Sequence, residues 1–515
     1  MSRLKNFSRN LATSYLQLGV NVVYSLVSIP LILHWLPKAE FGMWAVLVQL
    51  MGYVSVIDLG MTSAVARLLV DYKDRRSDGG YGSLVKTSFL VSLTQGIIIL
   101  TAVNLGAPLL AELMKIPAEH RDVFILLLRV QGLVTAFTFS LRPLGLMLDA
   151  HQRMDIMNAY SSYSLVAQLG LLTVLLNDGF GIYSLVYASI ISAVVSPLYL
   201  VWHCRRLKVL PQPGEWGRLS RQKFREVFSF GMDVFLFNLG GQLIMSSQTI
   251  IISRCLGLDI AAGWSVGTKI FNLCVPLVLR PLFMSMPALA EMIVRNELTR
   301  LRARFEGLVV LTGSLGVYLG ISYALCNSLF VGIWTHNRIV WSPLNDGLLA
   351  AWLVVISIQS VHCNWTLITK QIGGMRYIFF AEGCCFVLLA SFWGSRWGVP
   401  GIVIVSFLCT TFISFQYGIH RSLKYFQIGV WEAFFRWLLP CLRLALVYGV
   451  FAVGVWLGTA RMSPWPRLFA HIIATLIPGV FLFLRLGCQP ETLHDISSKL
   501  PCPANKWLLF FAASA

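Results

Sequence analysis

The chain has 515 residues, of which 57% are hydrophobic and only 12% charged, and its formal net charge is +18. A soluble globular protein carries about 25% charged residues and under half apolar ones, so composition excludes an ordinary soluble protein. The basic residues fall mostly in short loops between apolar runs, and no basic stripe with interleaved aromatics stands outside those runs. No nucleic-acid partner is therefore expected.

A spanning helix needs about 20 mainly apolar residues. Arg3, Lys5 and Arg9 precede an apolar stretch from Leu11 to Leu36. That stretch is too long for a signal sequence and lacks a small-residue cleavage site, so it reads as a retained first span. Further spans are expected at 41–68, 87–111, 123–149, 156–176, 181–203, 228–253, 260–291, 306–333, 347–369, 377–394, 399–419, 437–458 and 467–487. The expected fold is an all-α polytopic membrane protein of about fourteen helices. The eleven cysteines lie mostly inside apolar runs, Cys384 and Cys385 side by side among them. No metal-ligand spacing or disulfide framework appears, so neither metal nor cofactor is expected.

Charge gives the orientation. With the N-terminus inside, the inside segments hold 27 Lys and Arg residues. The outside loops hold seven: Lys38, Lys115, Arg121, Arg338, Arg396, Arg461 and Arg467. The positive-inside rule then places both termini in the cytoplasm. The longest inside loop, 204–227, contains Pro211, Pro213 and Gly214 and then the basic run RLSRQKFREVF. It reads as a linker with an interfacial helix between an N-terminal lobe of six helices (1–203) and a C-terminal lobe (228–420). Two extra helices (437–487) and a cytoplasmic tail (488–515) follow. At an offset of 220, Ile32, Leu36, Trp44 and Val46 match Ile252, Leu256, Trp264 and Val266. A parallel repeat fits two six-helix halves.

Seven cations fall inside the spans: Arg67, Arg129, Arg142, Arg254, Lys269, Arg280 and Arg443. Each costs about 2.5–3.5 kcal/mol at bilayer depth on insertion scales, so such residues usually face a bundle interior or a wet cavity. Arg67, Arg254 and Arg443 are near enough to helix ends to snorkel. Lys269 is nine residues from the outer end of its span, about 14 Å at 1.5 Å per residue. Arg280, eleven residues on, returns to within about 20° of the same face. Arg142 and Arg280 each sit in Leu-Arg-Pro-Leu, where Pro143 and Pro281 free a backbone carbonyl beside the guanidinium. Asp149, seven residues after Arg142, is a candidate ion-pair partner for it, and Asp58 is a second candidate for ion pairing. The buried acids are expected to be Asp58, Asp233, Glu291 and Glu382. Asp233 and Glu382 share a depth near the inside face, and Thr410 and Thr411 lie in the next helix. Carboxylates and hydroxyls suit a small hard cation, and Asp233, Glu382 and Thr411 form a candidate coupling site. Separate pairing with inside-loop arginines is the alternative. An excess of buried cations over acids suits an anionic substrate, phosphate above all.

The stretch EFGMWAVLVQLMGYVSVIDLGMTSAVAR resembles the second helix of polysaccharide-biosynthesis membrane proteins, the O-antigen flippases of Wzx type. LGLDIAAGWSVGTKIFNLCVPLVLRPLFMSMPALAEM and LDAHQRMDIMNAY resemble the same family, and the likeness covers most of 1–420. It implies membership of the multidrug/oligosaccharidyl-lipid/polysaccharide exporter superfamily, with two six-helix lobes around a central cavity and two added C-terminal helices. The implied substrate is an undecaprenyl-diphosphate-linked oligosaccharide, flipped across the bacterial inner membrane. Lys269, Arg280, Arg142, Arg129 and Arg67 would hold its diphosphate. Sodium or a proton is the implied coupling ion, since no ATP-binding loop is present. Membrane lipids, and contact with a polysaccharide polymerase, are the other expected partners, and the protein is expected to be a monomer. Two rivals remain at this point. A drug/cation antiporter of the same fold would want acidic residues facing its lumen. A membrane polymerase or ligase would want a sizeable outside loop, whereas the longest here, 112–122 and 334–346, leave Asp122 and Asp346 as flanking residues without partners. Trp44, Tyr53 and Trp264 are candidate glycan contacts or interfacial anchors.

Overall fold

A computed structural model of the chain describes residues 3–72, 76, 78–151, 153–369 and 374–488. The described residues contain helices and turns and no strand, and they divide into two compact units, Met1–Ala262 and Gly263–Ala515. Twelve helical stretches among them are long and apolar enough to cross a membrane. The longest, Met375–Phe426, turns at Gly398, whose φ of 65° and ψ of −149° only glycine adopts readily. It therefore holds the two spans expected at 377–394 and 399–419. The span expected at 228–253 lies in a 36-residue helix that is not among the twelve. The architecture is an all-helical membrane protein of about fourteen spans. The expected tail, 488–515, falls outside the described residues apart from Cys488.

The first unit contains α1 (Arg3–Trp35), α2 (Lys38–Gly52), α3 (Met61–Tyr72), α4 (Gly80–Leu113), α5 (Ala118–Ser140), α6 (Arg142–Ala150), α7 (Met154–Asn177), α8 (Tyr183–Arg206) and α9 (Arg221–Leu256). Its core joins α3, α4, α6 and α8 through Leu69, Tyr81, Leu84, Met147, Leu148 and Cys204, all at or near zero exposure. Leu105 and Leu198, 77% and 70% exposed, show the opposite face. Backbone groups are satisfied inside each helix, so such apolar surface suits lipid.

Two of the spans expected in this unit are broken. The second runs as α2, a 3-10 turn at Tyr53–Asp58, left-handed residues Leu59 and Gly60, and then α3. The fourth stops at Leu141 between α5 and α6, because Pro143 cannot donate into the preceding turn. The division between units also differs from the expected lobe border at 204–227. It falls within α10 (Leu258–Gly267), because α9 packs along α2 and α3. Gln242 Nε2 of α9 donates to the Gly52 carbonyl at 3.1 Å, and Tyr53 shares a hydrogen bond with Ser247.

The linker is docked. Tyr81 donates to the Val209 carbonyl at 3.0 Å, Ser83 to the Arg218 carbonyl at 2.6 Å and Arg76 to the Lys208 carbonyl at 2.9 Å. The basic run after Ser220 begins α9 itself, where Ser220 accepts from the Lys223 backbone N–H. Burial works against the Lys223 charge, but hydrogen bonds to Tyr72 and Glu226 outweigh it and hold the ammonium above its ordinary pKa. A Cβ on Gly82 would overlap the backbone of Glu215 and Trp216. Gly82→Val is expected to lift the linker, at a cost of about 1–3 kcal/mol. Tryptic cleavage around Arg218 in inside-out vesicles should then rise by about tenfold, tracking the opened population. Wild-type cleavage rates in that variant would show the linker is not held there.

The second unit contains the end of α10, then α11 (Lys269–Val294), α12 (Leu298–Trp334), α13 (Pro343–Ile368), α14 (Met375–Cys409), a π-turn at Thr410–Ser414, α15 (Phe415–Phe426), α16 (Val430–Ala433), α17 (Leu439–Gly458) and α18 (Pro464–Ala474). Phe305 of α12 is the hub of an aromatic core. Its ring lies 4.9 Å from those of Trp365 and Phe426 and 5.8 Å from that of Trp437. Arg302 bridges Glu306 at 2.9 Å and Glu432 at 2.7 Å, and Arg436 meets the same two carboxylates at 3.5 and 3.2 Å. The C-terminal pair is fastened to α12 as well. Tyr448 hydrogen-bonds with Ser322 at 2.9 Å, and buried His471 sits between Thr459 and the Leu325 carbonyl.

Candidate functional site

The broken second span opens backbone carbonyls in apolar surroundings, and other helices must satisfy them. Gln95, 5% exposed on α4, donates its amide to the Ile57 and Asp58 carbonyls at 3.2 and 3.0 Å. Gln242 takes the Gly52 carbonyl at the other end of the turn. The Asp58 carboxylate, at the head of α3, accepts from the Thr62 N–H at 3.2 Å and from the Thr62 hydroxyl.

Arg142 meets this break from its own. It is the first residue of α6, and its Nη1 lies 3.4 Å from Asp58 Oδ1 and 2.9 Å from Thr62 Oγ1. Its guanidinium carbon is 3.9 Å from the centre of the Phe139 ring, a cation–π contact. The Asp58 side chain is 13% exposed and that of Arg142 39%, so the guanidinium keeps an open edge. The pairing of Arg142 with Asp149 is corrected. Asp149 is exposed on α6 and makes no ion pair among the described residues. α6 runs unbroken through both residues and puts them near one face, but seven residues at 1.5 Å each set them about 10 Å apart along its axis, and Arg142 at the head of the helix reaches Asp58 instead.

In the second unit, Lys269 stands at another break. The span expected as one helix at 260–291 is α10 and α11 with Thr268 between them, and Lys269 is the first residue of α11. It is half-buried and has no hydrogen bond or ion pair among the described residues. Arg280 lies in the middle of α11 and is exposed, eleven residues away along one helix. Of the other expected cations, Arg67 pairs weakly with Asp71 at 3.8 Å on an exposed surface, and Arg129 is exposed on α5. Glu291 is also not buried, being 60% exposed and bridged to Arg295 at 2.5 Å.

The expected coupling residues separate. The side chain of Asp233, on α9, lies outside the described residues. Glu382 of α14 is 1% exposed, and its hydroxyl neighbours are Thr410 and Ser414 rather than Thr411. Thr411 instead donates to the Phe407 carbonyl at 2.7 Å. Thr410 and Ser414, four residues apart, share a face that meets Glu382, whereas Thr411 is about 100° further round. Thr410 Oγ1 accepts from Trp352 Nε1 at 3.2 Å and Ser414 Oγ from Gln359 Nε2 at 3.0 Å. The Thr410 hydroxyl proton is thereby left for the carboxylate, that of Ser414 also has the Thr410 carbonyl at 3.5 Å, and the carboxylate's Oε2 takes no hydrogen bond among the described residues.

Sequence reasoning missed Gln95, Gln242, Ser414 and the partners of Asp346. Lone glutamines inside apolar runs were the available signal for the first two. Asp346 is fully buried and accepts from Asn327 at 2.8 Å and from the Trp341 indole at 2.6 Å, which corrects its reading as a flanking residue without partners.

Residues 8–293, over half of the chain, match the family described as polysaccharide biosynthesis protein. The chain belongs to that family. It is also 21% identical over 276 residues to a Shigella flexneri protein described as "Putative O-antigen transporter". That match spans 52% of this chain and 62% of the relative, so somewhat less than two thirds of the relative's length is covered. Among solved structures, the lipid II flippase MurJ in an inward closed conformation superposes with a TM-score of 0.65 at 13% identity, covering 91% of this chain and 99% of MurJ. An inward-facing multidrug resistance MATE family transporter of the MOP superfamily gives 0.62 at 15% identity, covering 78% and 94%. A MOP superfamily transporter from Pyrococcus furiosus gives 0.55 at 16%, covering 82% and 97%. The fold of this family member is thus that of the MATE and MurJ structures, and the chain is a multi-pass membrane protein of the polysaccharide biosynthesis family.

Proposed function

We propose that the protein flips an undecaprenyl-diphosphate-linked oligosaccharide, an O-antigen or exopolysaccharide repeat unit, from the cytoplasmic to the periplasmic leaflet of the inner membrane. Transport is by alternating access, both termini are cytoplasmic, and no bond of the substrate is made or broken. The observation that carries this reading is the placement of cations at helix breaks within the spans. Lys269 heads α11 with no partner among the described residues, and Arg142 heads α6 with one carboxylate and an open edge. A diphosphate crossing a low-dielectric region needs fixed positive charge, and guanidinium and ammonium donors held by the backbone supply it without reorganisation. A cationic drug would be repelled by the same groups.

Coupling is assigned to Glu382 with Thr410 and Ser414, and Asp233 is retained as a further candidate by its helix. A buried carboxyl with no ion pair among the described residues stays out of water as the neutral acid or with a cation beside it. Turnover is therefore driven by sodium or protons. In proteoliposomes carrying a fluorescent lipid-diphosphate oligosaccharide, an imposed sodium or proton gradient should speed flipping. Glu382→Gln should remove that stimulation and leave the ungraded rate within about twofold, since the glutamine keeps the hydrogen bonds to both hydroxyls. Equal rates with and without either gradient in the wild type would remove Glu382 from coupling. Failure to move the probe under any gradient would defeat the flippase reading itself.

A further inference from the structure

The turn before Lys269 is held by side chains of two other elements. The carbonyl of Gly267, two residues ahead of Lys269, accepts from Tyr323 Oη at 3.1 Å and from Asn327 Nδ2 at 2.9 Å, both on α12. Asn327 Nδ2 also donates to Asp346 Oδ1 at 2.8 Å, at the start of α13. The same oxygen accepts from Trp341 Nε1 at 2.6 Å. The Trp341 ring lies so close over Gly267 that a Cβ there would overlap it. Thr268 completes the turn, its hydroxyl donating to the Trp264 carbonyl at 2.7 Å.

In a continuous helix the Gly267 carbonyl would accept from the N–H of residue 271. With two side-chain donors on it, the break is fixed by partners instead of being left to the local sequence. Tyr323, Asn327 and Asp346 are 3%, 1% and 0% exposed, so this is an interior arrangement. An ordinary break needs only a neutral cap. Burying a carboxylate without a cation is costly and persists where its hydrogen bonds do something a neutral side chain does less well. Here Asp346 orients two of the three groups that touch Gly267, the Asn327 amide and the Trp341 ring.

We propose that Asp346 is a positioning residue for Lys269: through Asn327 and Trp341 it fixes the Gly267 turn that sets the Lys269 side chain at the head of α11. Its importance for transport rests on the function proposed above. The placement of residue 269 does not. The test therefore reads position 269 directly. In membrane vesicles holding full-length Lys269→Cys protein, the rate at which a cationic methanethiosulfonate reagent modifies residue 269 is measured by mass spectrometry of its peptide. Adding Asp346→Ala should change that rate by about tenfold, as expected for losing a buried charge-assisted hydrogen bond. Adding Asp346→Asn, whose amide oxygen still accepts from Asn327 and Trp341, should leave it within about twofold. An unchanged rate with Asp346→Ala overturns the proposal, and so does Asp346→Asn behaving like the alanine. If the alanine variant is lost from the membrane, Tyr323→Phe removes one donor to Gly267 and should shift the rate about threefold. No shift there overturns the proposal equally. A shifted rate combined with normal polysaccharide export by Lys269→Ala keeps the positioning role and overturns the substrate role of Lys269. An unshifted rate combined with lost export overturns the positioning role alone.

Discussion

Lys269→Ala is expected to cut export of surface polysaccharide by roughly 10- to 100-fold, the cost of about 1.5–3 kcal/mol for removing a hydrogen bond to a charged group. The protein should remain in the membrane at its normal level, because the Lys269 side chain has no hydrogen bond or ion pair among the described residues for the fold to lose. Lys269→Arg should retain most export, since it keeps a donor and the charge, whereas Lys269→Gln should not. The readout is polysaccharide at the cell surface, normalised to the protein in isolated membranes. Normal polysaccharide in the alanine variant at equal protein level would end the case for this residue as a diphosphate contact. Arg280 and Arg142 make graded comparisons. Arg280 is more exposed and stands in mid-helix, and Arg142 is partly neutralised by Asp58.

The second large effect concerns stability. Asp58→Leu removes the carboxylate from Arg142 and the acceptor from the Thr62 N–H. Removing one partner of a fully buried pair costs about 3–5 kcal/mol, and the 39% exposure of the Arg142 side chain reduces this to about 2 kcal/mol. Arg142→Leu alone leaves a buried carboxylate that still holds Thr62, so it should cost less. The double variant should be more stable than Asp58→Leu alone, since no unpaired guanidinium remains. Thermal unfolding in detergent, run as a double-mutant cycle, reads the coupling. Additive effects of the two single changes would mean that the pair contributes nothing beyond its members.

Much of the architecture was legible because membrane insertion is a local, one-dimensional matter. Each span must be apolar over about 20 residues whatever its neighbours are, and loop charge records orientation loop by loop. The site was legible only as a set of residue types. Arg142 and Lys269 stood out because an ionic group inside an apolar run is costly wherever it sits. Asp149 looked like the partner of Arg142 because helical arithmetic puts the two near one face and says nothing of residues on other helices. The break at Leu141 puts Arg142 at the head of α6, where it meets Asp58, 84 residues away in sequence. Thr411 matches Glu382 by helix and depth, and depth does not say that Thr410 and Ser414 are the hydroxyls that face the carboxylate.

The sequence alone determined that this is a many-spanning helical membrane protein, and it determined which ionic groups must be accommodated inside the spans. Both follow from the free energy of moving residues from water into hydrocarbon, which each segment settles for itself. Tertiary structure alone decided where the spans break and which groups meet at the breaks. A helix opens inside a membrane only where distant side chains can take the freed carbonyls. Gln95 and Gln242 do so at the second span, and Tyr323 and Asn327 do so ahead of Lys269. Those donors lie on other helices, so no window along the chain contains both the break and the groups that permit it.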